Sequence, residues 1–216
     1  MKPLFKNAVA SAALFSFIAT VAVAAPVSGT GAGFAVPDIN ALGASSAIVL
    51  ADAGTINSMS VVVAMSHTWV GDLIMTLSNG TSTIRLLDRP GFPGSFFGDN
   101  SNLSANTPIT FAATATQLAE NMGAGCLNSD VIGLAPCSTD IFFLPEDGFG
   151  VFLGSAIAGT WTLNVSDNSV LDLGSVRSWT LNADVGNGNG TVPEPTTLAL
   201  VALALAGIGA AGRRKA

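Results

Sequence analysis

The sequence predicts an all-β domain, a jelly-roll-like β-sandwich, set between an N-terminal signal peptide and a C-terminal transmembrane helix. Three observations carry this prediction. Short runs of alternating apolar and polar residues are bounded by Gly, Asn, Asp and Pro. The middle of the chain shows no helical periodicity, and both ends are apolar segments flanked by positive charge. A mean hydropathy of +0.56 with only 10% charged residues is high for a soluble domain, and membrane-directed ends account for it.

Residues 1–24 read as a secretory signal peptide. Lys2 and Lys6 precede an apolar run that closes in Ala22-Val23-Ala24, a small-x-small site that places cleavage after Ala24.

The domain is expected over residues 34–185. Leu73, Met75 and Leu77 alternate with Ile74, Thr76 and Ser78, and Asn79-Gly80 supplies the residues that a tight hairpin turn needs before the next strand. Trp161, Leu163 and Val165 alternate with Thr162, Asn164 and Ser166. Trp179, Leu181, Ala183 and Val185 do the same against Thr180, Asn182 and Asp184, so each run has one face to bury and one to wet. Many short strands in about 150 residues point to a sandwich of two sheets.

Residues 186–191, rich in Gly and Asn, form a flexible linker. Beyond it Val192-Pro193-Glu194-Pro195 leads into an apolar stretch, expected as a membrane-spanning helix over 196–212, and then Arg213, Arg214 and Lys215. A hydrocarbon core of about 30 Å is just within reach of such a helix. Cationic residues stay on the cytoplasmic side, so this end and the signal peptide predict one topology, with the domain exported. Residues 192–216 resemble the PEP-CTERM sorting tail of exported bacterial proteins, in which a Pro-Glu-Pro motif, a transmembrane segment and a basic end follow one another. The resemblance implies an inner-membrane intermediate, cut near Pro193-Glu194-Pro195 by an exosortase-like membrane transpeptidase. A plain tail anchor that is never cut is the alternative.

Without the two ends, only Arg85, Arg89 and Arg177 stand against thirteen acids, a net charge of −10. Such a surface excludes binding to a nucleic-acid backbone. Cys126 and Cys137 are the only cysteines, and an oxidising compartment favours a disulfide between them, closing a short loop in an otherwise aperiodic segment. In the chain-entropy picture that closure stabilises by roughly 2–3 kcal/mol. A zinc site would want more ligands, and His67 is the only histidine.

The run from Ile56 to Leu77, with His67-Thr68-Trp69-Val70-Gly71-Asp72-Leu73 at its end, resembles the core of the P domain, also called Homo B, of proprotein convertases. Gly159-Thr160-Trp161-Thr162-Leu163-Asn164-Val165-Ser166-Asp167, followed by Gly174 and Trp179-Thr180-Leu181, is similar to the closing pattern of that family, and Val36-Pro37-Asp38 to its opening. Two departures are a shortened turn at Ser78-Asn79-Gly80-Thr81 and an apparent insertion over residues 118–145. The resemblance implies a jelly roll that accompanies and stabilises a subtilisin-like serine protease domain.

No catalytic residue is expected within the domain itself. Ser66, His67 and Asp72 suggest a triad, but neighbours on a strand leave opposite faces, and a nucleophile and its base must meet. His67 is expected to be a hydrogen-bonded residue at a strand end. No cofactor is required. Ca2+ is the one ion the acids suit, through Asp72, Asp167 and Asp172 in the loops that close the two motifs, against a plain role in capping turns. Asp99, Asp140, Glu146 and Asp147 are further loop acids. The function expected is a non-catalytic module delivered to the cell surface or extracellular matrix, with a polymer or the surface as partner. The alternative is an accessory P domain for a secreted protease.

Overall fold

The computed structural model describes residues 25–137 and 140–186, all of it β-structure, turns and two single-turn 3-10 helices. The expected signal peptide, the residues of the linker beyond 186 and the expected sorting helix lie outside the described residues. Among the described residues no helix is long and apolar enough to cross a membrane.

Among the described residues ten strands make two sheets. They are β1 (Ala25–Val36), β2 (Asn40–Leu50), β3 (Thr55–His67), β4 (Leu73–Ser78) and β5 (Thr83–Asp88), then β6 (Ile109–Ala112), β7 (Gln117–Leu118), β8 (Phe142–Leu144), β9 (Gly159–Asp167) and β10 (Gly174–Gly186). One sheet has the order β1-β10-β3-β6-β8-β7 and the other β2-β9-β4-β5. The long strands pair as a nested set, β1 with β10, β2 with β9, β3 with β6 and β4 with β5, all antiparallel. A long hairpin rolled on itself gives this order, the jelly-roll arrangement. The short strands β7 and β8 join by parallel pairing and widen the first sheet to six strands.

The alternating runs bury the faces expected of them. Leu73, Met75 and Leu77 are fully buried, as are Trp161, Leu163 and Val165, while Trp179, Leu181, Ala183 and Val185 close the core from the other sheet. Each buried indole finds an acceptor, as a buried N–H must. Trp161 donates to the Ile157 carbonyl at 2.9 Å and meets the Phe152 ring edge-on at 5.0 Å. Trp179 donates to the Ser46 hydroxyl at 2.7 Å, joining the sheets.

Two local readings differ from the structure. The sheet begins at Ala25, nine residues ahead of the expected domain start at residue 34, because β1 pairs with β10 along its whole length. Ser28-Gly29-Thr30-Gly31-Ala32-Gly33 has no apolar alternation to announce a strand, and its glycines are there for space. A Cβ on Gly31 would stand 2.0 Å from the Trp179 Nε1, and one on Gly33 would stand 2.4 Å from the Arg177 carbonyl oxygen. Gly31→Ala is therefore expected to cost about 2 kcal/mol by overpacking, measured by urea denaturation; an unchanged midpoint would show that the indole moves aside freely. The β4–β5 turn is also looser than a two-residue hairpin. Only Gly80 adopts a positive φ, and Asn79 Oδ1 accepts from the Thr81 and Ser82 amides at 3.0 and 2.8 Å, so the side chain itself organises a four-residue turn.

Cys126 and Cys137 are bonded, with their Cα atoms 4.4 Å apart. The bridge fastens the segment between β7 and β8, which supplies Met122 and Ile132 to the core.

Candidate functional site

One pole of the sandwich gathers the ends of β3 and β9 and the starts of β4 and β10. At the close of β3 Ser66 is exposed and His67 is buried, so the two side chains leave opposite faces. The Trp69 amide donates to His67 Nδ1 at 3.1 Å, which makes that nitrogen the acceptor of the ring. The proton then sits on Nε2, which donates to Asp167 Oδ2 at 3.1 Å with both side chains fully inaccessible. Asp167 Oδ1 accepts from the Ser169 amide at 3.1 Å. The pair is closed on itself, with neither ring nitrogen left to serve as a base for Ser66.

Asp72 ends the 3-10 turn Val70–Asp72. Its carbonyl accepts from the Asn168 amide at 2.9 Å and from Asn168 Nδ2 at 3.1 Å, so the β9–β10 loop is tied to the β3–β4 connection. The carboxyl group is buried, and its Oδ1 has no hydrogen-bond partner. Burial first, then the charges of Asp167 and Asp172, push its pKa up to about 6, against a partial pull from Arg89. Arg89 donates through Nε to the Gly71 carbonyl at 3.1 Å. Gly71 is required by contact, since a Cβ there would lie 2.4 Å from the Asp99 amide nitrogen.

The three acids singled out for calcium thus share a pole but face different partners. Asp172 Oδ1 accepts from the Thr68 hydroxyl at 2.6 Å, Asp167 faces His67, and Asp72 Oδ1 is buried without a hydrogen-bond partner. Ca2+ takes six to eight oxygens. Among the described residues no group of three or more His, Cys, Asp or Glu side chains converges as a metal site.

The other loop acids have structural tasks. Arg85 grips Asp147 through Nε at 3.1 Å and Nη2 at 3.0 Å, which holds the Asp147 carboxyl below its usual range, and also pairs with Asp88. Asp99 Oδ1 accepts from the Ser101 amide at 2.9 Å. Burial, then the nearby Glu120, raises the pKa of Glu146.

Sequence reasoning located His67, Asp72 and Asp167 individually but not the contact between the first and the last, which lie 100 residues apart. It named Arg89 and Asp99 only as charges and assigned no role as a segment to residues 89–99, whose Asp99 carbonyl accepts from the Gly71 amide at 2.8 Å and whose Phe97 carbonyl accepts from the Trp69 indole at 2.7 Å. The visible signal was three phenylalanines, Phe92, Phe96 and Phe97, among turn-forming Pro and Gly.

Comparison with known proteins bears on the same segments. Residues 148–183, covering β9 and most of β10, match the family model of the proprotein convertase P-domain, and residues 191–215 match that of the PEP-CTERM protein-sorting motif. No curated protein matches the chain. Among solved structures, the serine protease of Aeromonas sobria in complex with its chaperone is similar at 16% identity and a TM-score of 0.42, over 76% of this chain and 28% of that one. The same protease alone gives 16% identity and a TM-score of 0.40, over 74% of this chain and 27% of that one. The chain thus spans little more than a quarter of the length of these neighbours. It carries a P-domain segment and a PEP-CTERM motif side by side.

Proposed function

We propose that this chain is a non-catalytic β-sandwich module, exported and sorted by an exosortase-like membrane transpeptidase to the cell surface or extracellular matrix, where it binds or builds. The observation that carries the reading is the PEP-CTERM match at residues 191–215, directly behind a β-domain that ends at Gly186. The motif is an address, and the domain ahead of it is what is delivered. Support for a non-catalytic role comes from His67, the one histidine of the chain, whose two ring nitrogens are both engaged inside the fold. In this reading the transpeptidase meets Val192-Pro193-Glu194-Pro195, while Arg213, Arg214 and Lys215 hold the far end of the tail in the cytoplasm.

The P-domain match at residues 148–183 supports a second reading, an accessory module that acts on a secreted subtilisin-like protease. The two readings differ in what accompanies the protein outside the cell, polymer or surface in the first and a protease in the second.

Intact-mass measurement of the protein recovered outside the producing cells tests the sorting claim. The expected mass begins at Ala25, ends near Pro193-Glu194-Pro195 and is two hydrogens short for the Cys126–Cys137 bridge. A mass that retains Arg213, Arg214 and Lys215 would replace transpeptidase sorting with a permanent anchor.

A further inference from the structure

Four loops meet at the pole that holds His67, and three of them have apolar tips. Leu171 and Leu173 on the β9–β10 loop are 88% and 71% exposed, Leu42 and Ile39 near the β1–β2 turn 87% and 65%, and Phe96 and Phe97 on the β5–β6 loop 77% and 56%. Hydrogen bonds join the loops into one platform. The Ile39 amide donates to the Ser169 carbonyl at 3.1 Å and the Leu171 amide to Asp38 Oδ2 at 3.3 Å. Thr68 is bonded to Asp172 and Trp69 to Phe97, as described above.

Two of these side chains stand where the backbone resists them. Ile39 has φ 48° and Leu171 has φ 82°, in the left-handed region that Gly or Asn would occupy without strain. Leu42 is thrown outward by a bulge, in which Asn40 and Ala44 face Asp167 and Val165, two positions apart. Apolar groups held in costly conformations and aimed at solvent indicate that the side chains themselves have a use.

We propose that this pole docks onto a zwitterionic lipid surface. Its most exposed tips are Leu, Ile and Phe, with Trp69 and Arg89 half-buried beneath them, and the chain has no tyrosine at all. Binding hot spots between proteins favour Trp, Tyr and Arg and under-represent Leu and Val, whereas a fluid apolar phase accepts separate projecting side chains without shape complementarity. Asp38 and Asp172 lie beside the tips, Arg89 is half-buried over the Phe92 ring at 4.1 Å, and no lysine occurs among the described residues, so acids predominate at the rim. Anionic lipid would be repelled, while the outermost ammonium group of a zwitterionic headgroup complements these carboxylates. A second copy of the chain would set acid against acid.

The placement of the chain ends fits a surface other than the membrane holding the tail. Ala25 pairs with Val185, and β10 ends at Gly186, so both ends leave from the opposite pole. β10 has 13 residues, a length of about 40 Å, and the nine residues from 187 to 195 extend to at most about 30 Å. A tether of that length is shorter than the domain, so while the tail is in place the apolar pole is not free to turn fully onto that membrane. The proposal goes beyond the exported-module reading and is tested separately from it.

The test mixes the full secreted protein, its mass already determined, with phosphatidylcholine vesicles carrying brominated acyl chains. Trp69 is the reporter, because Trp161 and Trp179 are each only 1% exposed. Expected are flotation with the vesicles and quenching of Trp69 fluorescence, absent in Trp69→Phe and weakened about tenfold by Leu171→Asp with Phe96→Asp, both at exposed positions that leave the fold intact by circular dichroism. Phosphatidylglycerol vesicles should bind less. Flotation without quenching would reveal attachment by another part of the chain and overturn the proposal. Quenching that survives the double change, or a dimer that the double change splits, would overturn it too. A correctly processed protein that ignores phosphatidylcholine leaves the sorting proposal standing and removes this one.

Discussion

Replacing His67 by alanine is expected to remove about 3–5 kcal/mol of folding stability, the cost of leaving one partner of a buried polar pair alone. The ring is inaccessible, and three contacts depend on it. Asp167 Oδ2 loses its donor and becomes an isolated buried carboxylate oxygen, and the Trp69 amide loses its acceptor. The space against Gly174, where an added Cβ would stand 2.3 Å from His67 Cδ2, becomes a cavity. Urea denaturation of the wild type, His67→Ala, Asp167→Ala and the double variant measures the coupling directly. The double variant should be less damaged than the two single losses added together, because removing both partners strands neither. A loss below about 1 kcal/mol for His67→Ala would show that the pair is solvated and the pole open.

The second large effect is one of pH, and it runs opposite to the usual carboxylate. Asp72 has its pKa raised from 3.8 to about 6 in the folded protein, chiefly by burial and then by Asp167 and Asp172. Between these values the folded state keeps a proton that the unfolded chain has released, so this group favours folding at low pH and loses that contribution as pH rises through 6. At pH 7 its ionisation is a cost of about 2–3 kcal/mol. Asp72→Asn should therefore melt higher than the wild type at pH 7, by roughly 5–10 °C for a domain of this size, and the two should converge near pH 4. Other groups titrate over the same range: Asp147, held down by Arg85, contributes stability that is lost on acidification, though much of that pair lies in solvent. The difference between variant and wild type cancels those groups and isolates Asp72. A variant no more stable than the wild type at pH 7 would mean that the Asp72 carboxylate is satisfied by water or an ion.

The two predictions concern side chains that sequence reasoning reached by different routes. His67 was singled out as a strand-end residue and excluded as a base, and the structure adds Asp167 as its partner. Asp72 was considered as a cation ligand, and its standing as a buried acid with a raised pKa became visible only with Asp167 and Asp172 around it. The glycines of β1 gave no strand signal, because their reason is the Trp179 ring and the Arg177 carbonyl on the neighbouring strand.

What the sequence alone determined is the face of each strand. Side chains alternate with period two whatever the strand pairs with, so Leu73, Met75, Trp161 and Trp179 declared their burial locally. It also determined the PEP-CTERM motif at the C-terminal end, since such a segment is read along the chain. Only the tertiary structure decided the rest. Burial and charge at Asp72, the pairing of His67 with Asp167, and the meeting of Leu42, Leu171 and Phe96 at one pole arise between segments up to 100 or more residues apart. Desolvation and Coulomb energies depend on distance in space, and no local pattern in the chain encodes that distance.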